Sequence, residues 1–195
     1  MNEVGRAEEM AASVQRAGRA HGLTPEAIEL VGRAYAMAMR PREGVMDEHD
    51  PADLHPGRCV LILLQDVGPL PADVLAAAAV HESEDPRFCT PVAMVRATLG
   101  DGVADLVESL PLPNDEQLAA RLVTLEEGAR LAALAERLDH LRHAHLRKDP
   151  VWWRALREET MAAWAPVAER THPRLADRYR AWLRAMDRRL GVKAS

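Results

Sequence analysis

The sequence predicts an all-α protein that folds as a single domain. Hydrophobic residues make up 48% of the 195 residues, which is enough for a sizeable buried core. The chain is rich in alanine, leucine, arginine and glutamate, which all have high helix propensities. No stretch alternates apolar and polar residues with a period of two, and β-branched residues are few, so no strand is expected.

Four helices are predicted in the first half of the chain. The first covers residues 4–20. Thr24 and Pro25 are typical of the N-cap and the first position of the second helix. The third runs from about Pro56 to Gln65, and the breaker "VGPLP" separates it from an alanine-rich helix that starts near Asp73.

A long loop joins the second and third helices. Its sequence, "RPREGVMDEHDPADLHP", contains three prolines, one glycine and five acidic residues, so it does not continue a helical pattern. Loops of this length in a compact domain are often functional. The loop is therefore expected to be functional.

The second half is also helical. Thr90-Pro91 repeats the cap-and-proline start, and Gly100–Gly102 separates two short helices. After the loop "PLPND", a long helix is predicted from Thr124, carrying "LEEGARLAALAERLDHLRHAHL". Pro150 and Pro166 flank or kink the next helix, and "THP" opens the last one.

Charge and cysteine content exclude several classes of partner. The formal net charge is −5 with acids and bases interspersed, which argues against nucleic acid but not against a small phosphorylated ligand. Cys59 and Cys89 make no disulfide framework, so a cytoplasmic protein is expected. No signal-like run and no apolar segment of about 18 residues is present, so no membrane partner is predicted. The oligomeric state is left open.

Ionisable residues stand inside or beside apolar helical stretches in three separate segments. His55 lies at a helix start, His81 and Glu82 follow the alanine-rich helix, and Glu136 lies within the long helix. Two histidines and two carboxylates on converging helices suit a divalent ion with open positions, such as Mn, Fe or Zn. Asp139 and His140, one turn further along the long helix, belong to the same candidate group.

Each of these residues has an ordinary structural interpretation when it is taken alone. A His-Pro pair usually marks a turn, and a His-Glu pair usually lies at a solvated helix end. Glu136 alone would be a salt-bridge partner of Arg137 or Arg130. The hypothesis of a metal site depends on the combination.

The order of the segments resembles the HD-domain hydrolases of the RelA/SpoT type, which include small stand-alone alarmone hydrolases. The similarity extends over about residues 24–185 within a single domain of 1–195. The interval between the two histidines is also that of the family. The matching elements are His55-Pro56, His81-Glu82, Leu99-Gly100, "LAERLDH" at 134–140 and "EETMAAWAPVA" at 158–168.

The resemblance implies an HD-type helical bundle and a metal-dependent hydrolase. The family removes pyrophosphate from the 3′ position of guanosine tetra- or pentaphosphate with Mn²⁺. By resemblance, the metal ligands would be His55, His81, Glu82 and Glu136, and they would hold Mn²⁺, with Fe and Zn as alternatives. An acidic residue after the His-acid pair would position or deprotonate the attacking water.

Several positions depart from the family pattern. Glutamate replaces aspartate at Glu82 and Glu136, and Asp139-His140 stands where the family has His-Asn. The signature "AHxGQxRK" is replaced by "AYAMAMRPREG", which leaves Arg40 and Arg42 to bind a phosphate or stack on a base. The expected substrate is therefore a small phosphorylated nucleotide, either an alarmone or a related phosphorylated nucleoside. The predicted substrate contacts are Arg40, Arg42, Asp139 and His140.

The acidic motif after His81 is one residue shorter than in the family. If the helix continues beyond His81, Glu84 and Asp85 lie three and four residues on and share its face. An ungapped alignment then favours Asp85 as the group that positions or deprotonates water. Glu84 is expected to shape the pocket edge or face solvent.

Three functions follow from these patterns. The first is a metal-dependent phosphohydrolase acting on a nucleotide. The alternative is a non-catalytic HD-fold protein that binds a nucleotide or a partner. An oxidative HD enzyme with two irons would need further ligands, which only Asp47, His49 and Asp53 of the long loop could supply.

Overall fold

The predicted helical fold is confirmed. The structure, a computed structural model, describes residues 3–42, 54–112 and 115–192, and none of these residues forms a strand. The helices are α1 (Glu3–Ala20), α2 (Pro25–Met39), α3 (His55–Asp66), α4 (Ala72–Val80), α5 (Val92–Leu99), α6 (Asp101–Ser109), α7 (Leu118–Thr124), α8 (Glu127–His143), α9 (Pro150–Glu159), α10 (Ala165–Thr171) and α11 (Pro173–Leu190). Short 3₁₀ turns cover Arg40–Arg42, Pro86–Phe88 and Ala144–Leu146. No helix in these ranges combines the length and apolar character that crossing a membrane requires.

The alanine-rich helix α4 is the centre of the domain. It packs against α2, α3, α6 and α8, and all its residues from Val74 to Val80 are buried. A helix that is apolar on every side must be surrounded by other elements, and alanine lets those elements come close. Gly128 of α8 shows how close, because a Cβ there would lie 2.7 Å from Val74 Cγ2. This packing brings the end of α4 next to α8.

The C-terminal helices form a second layer on α8. Helix α11 packs against α8 and α9, and the hydroxyl of Tyr179 donates to the Leu134 carbonyl of α8 at 2.8 Å. A π-helical turn, Thr160–Trp164, joins α9 to α10 just before Pro166. A proline removes a helical hydrogen bond, so a local change of helix type at the predicted kink is expected. Trp164 from this turn is buried in the core.

Two predicted helix starts are confirmed and one is wrong. Thr24 Oγ1 accepts a hydrogen bond from the Ala27 amide at 3.2 Å, as an N-cap does. Gly100, with φ of 97°, separates α5 from α6 at a conformation that favours glycine. The hydroxyl of Thr90 does not cap α5: it is buried without a hydrogen-bond partner within the described ranges, and Pro91 directly precedes the helix.

The long helix of the second half begins later than predicted. Helix α8 starts at Glu127 rather than at Thr124, and residues Leu118–Thr124 form the separate helix α7. The backbone of Leu125 is extended between them, and its side chain is buried. Neither proline nor glycine marks this break, so the packing of Leu125 into the core separates the two helices. The central part of the long loop, residues 43–53, lies outside the described ranges.

Candidate metal centre

Four side chains from three parts of the chain converge in the interior. His55 is the first residue of α3, Glu82 follows the end of α4, and Glu136 and His140 lie one turn apart on α8. One ligand atom from each lies within 4.8 Å of all the others, and all except the partly buried His140 are buried. We refer to His55, Glu82, Glu136 and His140 as the His/Glu cluster. This cluster could hold a metal ion.

His140 lies between the two carboxylates. Its Nε2 atom is 3.0 Å from Glu136 Oε1 and 3.2 Å from Glu82 Oε1. His55 Nε2 lies 3.9 Å from Glu82 Oε2, and the His55 and His140 ring centroids are 4.3 Å apart. The nitrogen and oxygen atoms of these four side chains that could bind a metal therefore lie close to one another.

The chain after α4 is held in place by the two carboxylates. Helix α4 ends at Val80, and His81 is extended with ψ of 139°. Glu82 Oε1 accepts hydrogen bonds from the amides of Glu84 at 2.9 Å and Asp85 at 3.2 Å. Glu136 Oε1 accepts from the Ser83 amide at 3.0 Å and from its hydroxyl at 2.7 Å. These bonds fix residues 82–85 as a tight loop over the cluster.

Both carboxylates of the cluster are ionised despite their burial. Burial alone would raise the pKa of Glu136, but His140 and His81 outweigh it and lower the pKa to about 2. Burial likewise opposes ionisation of Glu82, whose pKa is nevertheless held well below its usual range by His140 and His55. Burial would lower the pKa of His140, yet Glu84, Glu136 and Glu82 raise it well above its ordinary value. The two buried carboxylates are therefore partly balanced by a positive charge on His140, which must lose its proton before it can bind a metal.

The donor set fits a divalent ion. Two ionised carboxylates this close together repel each other, and a cation between them removes that cost. Mixed imidazole and carboxylate donors suit borderline metals such as Mn, Fe and Zn. Of the counter-charges present, Arg42 Nη2 pairs with Glu82 Oε2 at 2.8 Å.

His81, the fourth predicted ligand, lies beside the cluster. It is buried, and its Nε2 atom has no hydrogen-bond partner among the residues that the structure describes. Burial lowers the pKa of His81, while Glu136 and Glu82 act against that shift. A neutral imidazole with an unpaired buried nitrogen is the form that binds metals. Its place in the ligand set stays a prediction, and the geometry adds His140 as a competitor.

A second group, His55, Cys59 and Asp139, also brings ligand atoms together. Burial raises the pKa of the Cys59 thiol well above its usual value, so the thiolate that a metal needs is disfavoured. The Asp139 carboxylate is already bound by Arg58 Nε at 2.8 and 2.9 Å. This group is therefore a weaker candidate than the His/Glu cluster.

The predicted substrate residues fall into different environments. Arg40 is exposed at the end of α2 and can meet a ligand. Arg42 is buried, with its guanidinium 4.6 Å from the Phe88 ring centroid and bound to Glu82, so it would have to leave this pair to bind a phosphate. Asp139 is buried against His55 and Arg58, and His140 belongs to the cluster.

The premise behind the predicted roles of Glu84 and Asp85 is wrong. The helix stops before His81, so residues 81–85 do not share a helix face. Asp85 instead caps the 3₁₀ turn Pro86–Phe88 and pairs with Arg87. The carboxylate of Glu84 contacts Arg137 and lies 3.5 Å from His140 Nδ1. The geometry thus places Glu84, rather than Asp85, next to the cluster.

The sequence did not identify two supporting residues. Arg137 does not pair with Glu136: its guanidinium bridges Glu84 and Glu159 and lies 5.4 Å from the Trp164 ring centroid. Ser83 holds the Glu136 carboxylate. The inclusion of His140 in the cluster did have a sequence signal, because Glu136 and His140 are spaced i,i+4 on a helix. The loop residues considered for a second iron, Asp47, His49 and Asp53, lie outside the described ranges.

Comparison with known proteins adds no family assignment. No protein-family model matches the chain, and no curated protein matches it.

Proposed function

We propose that the protein is a metal-dependent phosphohydrolase that acts on a phosphorylated nucleotide. The observation that carries the proposal is the buried convergence of His55, Glu82, Glu136 and His140 within 4.8 Å. The order of these residues along the chain, which resembles that of the RelA/SpoT-type hydrolases, supports the nucleotide class. Mn²⁺ is the proposed ion, with Fe and Zn as alternatives.

The residues of the His/Glu cluster would hold the ion, and Glu84 in the loop after α4 would accept a proton from the attacking water. When bound, a divalent ion in such a site supplies an activated water and neutralises charge on a phosphoryl group. The side chain of Glu84 is 33% exposed beside His140, so it is placed to accept a proton from water at the rim. Arg137 fixes the Glu84 carboxylate, and Arg40 is exposed to meet a substrate phosphate.

The enzyme proposal is tested by metal-dependent turnover. Purified protein is assayed with Mn²⁺ against guanosine tetraphosphate and a panel of other phosphorylated nucleosides, and product release is followed by chromatography. We expect hydrolysis of at least one nucleotide that stops with chelator and returns with Mn²⁺. Turnover of guanosine tetraphosphate itself should be weak, because the arginine-bearing signature is reduced to Arg40 and Arg42. A chelator-insensitive activity, or none with any nucleotide, would contradict the proposal.

The acidic loop gives a second prediction, because the structure and the ungapped alignment favour different residues. Glu84→Gln should lower the turnover rate by about 10²–10⁴-fold, the usual contribution of a general base, with the metal still bound. Asp85→Asn should cost much less, since the Asp85 carboxylate caps the turn Pro86–Phe88 and lies outside the cluster. Steady-state kinetics and the metal content of both variants distinguish Glu84 from Asp85 as the general base. A larger loss for Asp85→Asn would restore the assignment made from the sequence.

One contact favours the alternative of a non-catalytic binding protein. Arg42 already places a positive charge on Glu82, at 2.8 Å, inside the candidate centre. Because this arginine already balances part of the buried negative charge, a metal ion would stabilise the site less than it would stabilise a site with no counter-charge. In that case the protein would bind a nucleotide without hydrolysing it, and calorimetry would show binding in the presence of chelator.

A further inference from the structure

Asp139 directly precedes His140 on α8, but it contacts the side of His55 that faces away from the cluster. Its Oδ2 atom is 2.8 Å from His55 Nδ1, whereas His55 Nε2 lies 3.9 Å from Glu82 Oε2. One nitrogen of the ring therefore meets Asp139, and the other is directed toward the cluster. Asp139 is 1% exposed, so it has no access to a substrate in solution.

The surroundings of Asp139 determine which nitrogen of His55 carries the proton. Arg58 Nε donates to both oxygens of Asp139, at 2.8 and 2.9 Å, and this pairing keeps the carboxylate ionised. An ionised carboxylate only accepts hydrogen bonds. In the 2.8 Å contact, His55 must therefore donate from Nδ1. A neutral His55 then presents an unprotonated Nε2 to the cluster.

We propose that Asp139 is a positioning residue that sets the tautomer and orientation of His55 for metal binding, in place of the substrate contact predicted from the sequence. Metal-binding histidines commonly donate their second ring N–H to a carboxylate, which orients the ring and strengthens its donor atom. Arg58 fixes the carboxylate in turn. The inference rests on the proposed metal centre, but it concerns His55 and its partner rather than the hydrolysis.

The opposing explanation is that Asp139 and Arg58 form only a structural ion pair. The chain offers a matched control for this in Asp66, which is also buried and bound by an arginine. Arg178 Nη2 donates to Asp66 Oδ1 at 2.7 Å. Asp66 ends α3, the helix that His55 begins, and it lies outside the cluster. Each of the two variants, Asp139→Asn and Asp66→Asn, therefore removes one buried carboxylate that an arginine binds. Only Asp139 contacts His55.

The first test measures Mn²⁺ and Zn²⁺ affinities of the full chain by competition with a chromophoric chelator. For Asp139→Asn we expect affinity to fall by about 10–100-fold, the usual effect of losing such a partner. Asp66→Asn should bind both ions as the wild type does, even if it melts at a lower temperature. If Asp139→Asn retains the affinity of Asp66→Asn, the positioning role is wrong.

The second test needs no metal. Long-range ¹⁵N NMR of the wild-type metal-free protein should show neutral His55 protonated at Nδ1 and bare at Nε2. A neutral His55 protonated at Nε2 would overturn the inference. If the wild type binds neither ion, the proposed function fails, whereas the NMR experiment still decides whether Asp139 sets the tautomer.

Discussion

Replacing Glu136 by glutamine is expected to abolish metal binding and, with it, any metal-dependent hydrolysis. Glu136 is fully buried and supplies one of the two carboxylates of the His/Glu cluster. Glutamine keeps the shape but removes the charge, so the site loses half of the negative charge that attracts a cation. The fall in affinity should exceed the roughly 100-fold upper limit typical of outer-shell partners.

The same variant tests the link between metal and stability. Saturating the wild type at 100 times the dissociation constant should stabilise it by about 2.7 kcal/mol. For a chain of this size, such a stabilisation corresponds to a rise in Tm of about 5–11 °C. Glu136→Gln should show no rise by differential scanning fluorimetry.

A control is Glu159→Gln, whose carboxylate pairs with Arg137 but is 45% exposed and outside the cluster. It should keep the wild-type metal affinity. Wild-type affinity in Glu136→Gln would instead place any bound ion elsewhere and remove the basis of the proposed function.

Truncating Trp164 to alanine is expected to destabilise the domain by about 3–5 kcal/mol, the range for large aromatic residues in a core. Trp164 is 2% exposed, its Nε1 donates to Glu159 at 2.9 Å, and its ring lies below the Arg137 guanidinium. The truncation therefore leaves a cavity in the π-helical turn and loosens the residue that holds Glu84. Urea denaturation measures the loss.

Trp152→Ala is the control for that experiment. Trp152 is the same residue type on the neighbouring helix α9, but it is only partly buried and contacts Arg147 near the surface. It should lose clearly less free energy of unfolding than Trp164→Ala does. Equal losses would mean that the π-helical turn is not an anchor of the core.

The fold was largely predictable because its signals are local. The absence of period-two patterns and the density of helix formers indicated an all-α domain, and Thr24 and Gly100 marked helix ends through their own side-chain and backbone preferences. The separation of α7 from α8 was not predictable, because it depends on Leu125 packing into a core formed by distant helices. Local sequence contains no signal for such a tertiary effect.

The site was predictable only in part: three of the four predicted ligands lie in the cluster, whereas His81 lies beside it and His140 takes part instead. The order of His55, Glu82 and Glu136 along the chain was sufficient to bring them together as candidates, and the structure does place them in one cluster. The roles of Glu84 and Asp85 depended on assuming a helix beyond His81, which the extended backbone of His81 contradicts. Beyond that end, the amides of Glu84 and Asp85 donate to Glu82 Oε1, an arrangement that the sequence pattern does not reveal.

Anomalous diffraction from crystals grown with Mn²⁺ or Zn²⁺, with data collected at the absorption edge of the added metal, would locate a bound ion. We expect one strong anomalous peak among His55, Glu82, Glu136 and His140, and the ligands around it will also show whether His81 or His140 coordinates the ion. The absence of a peak at this cluster, or a peak only at His55, Cys59 and Asp139, would contradict the proposed metal centre.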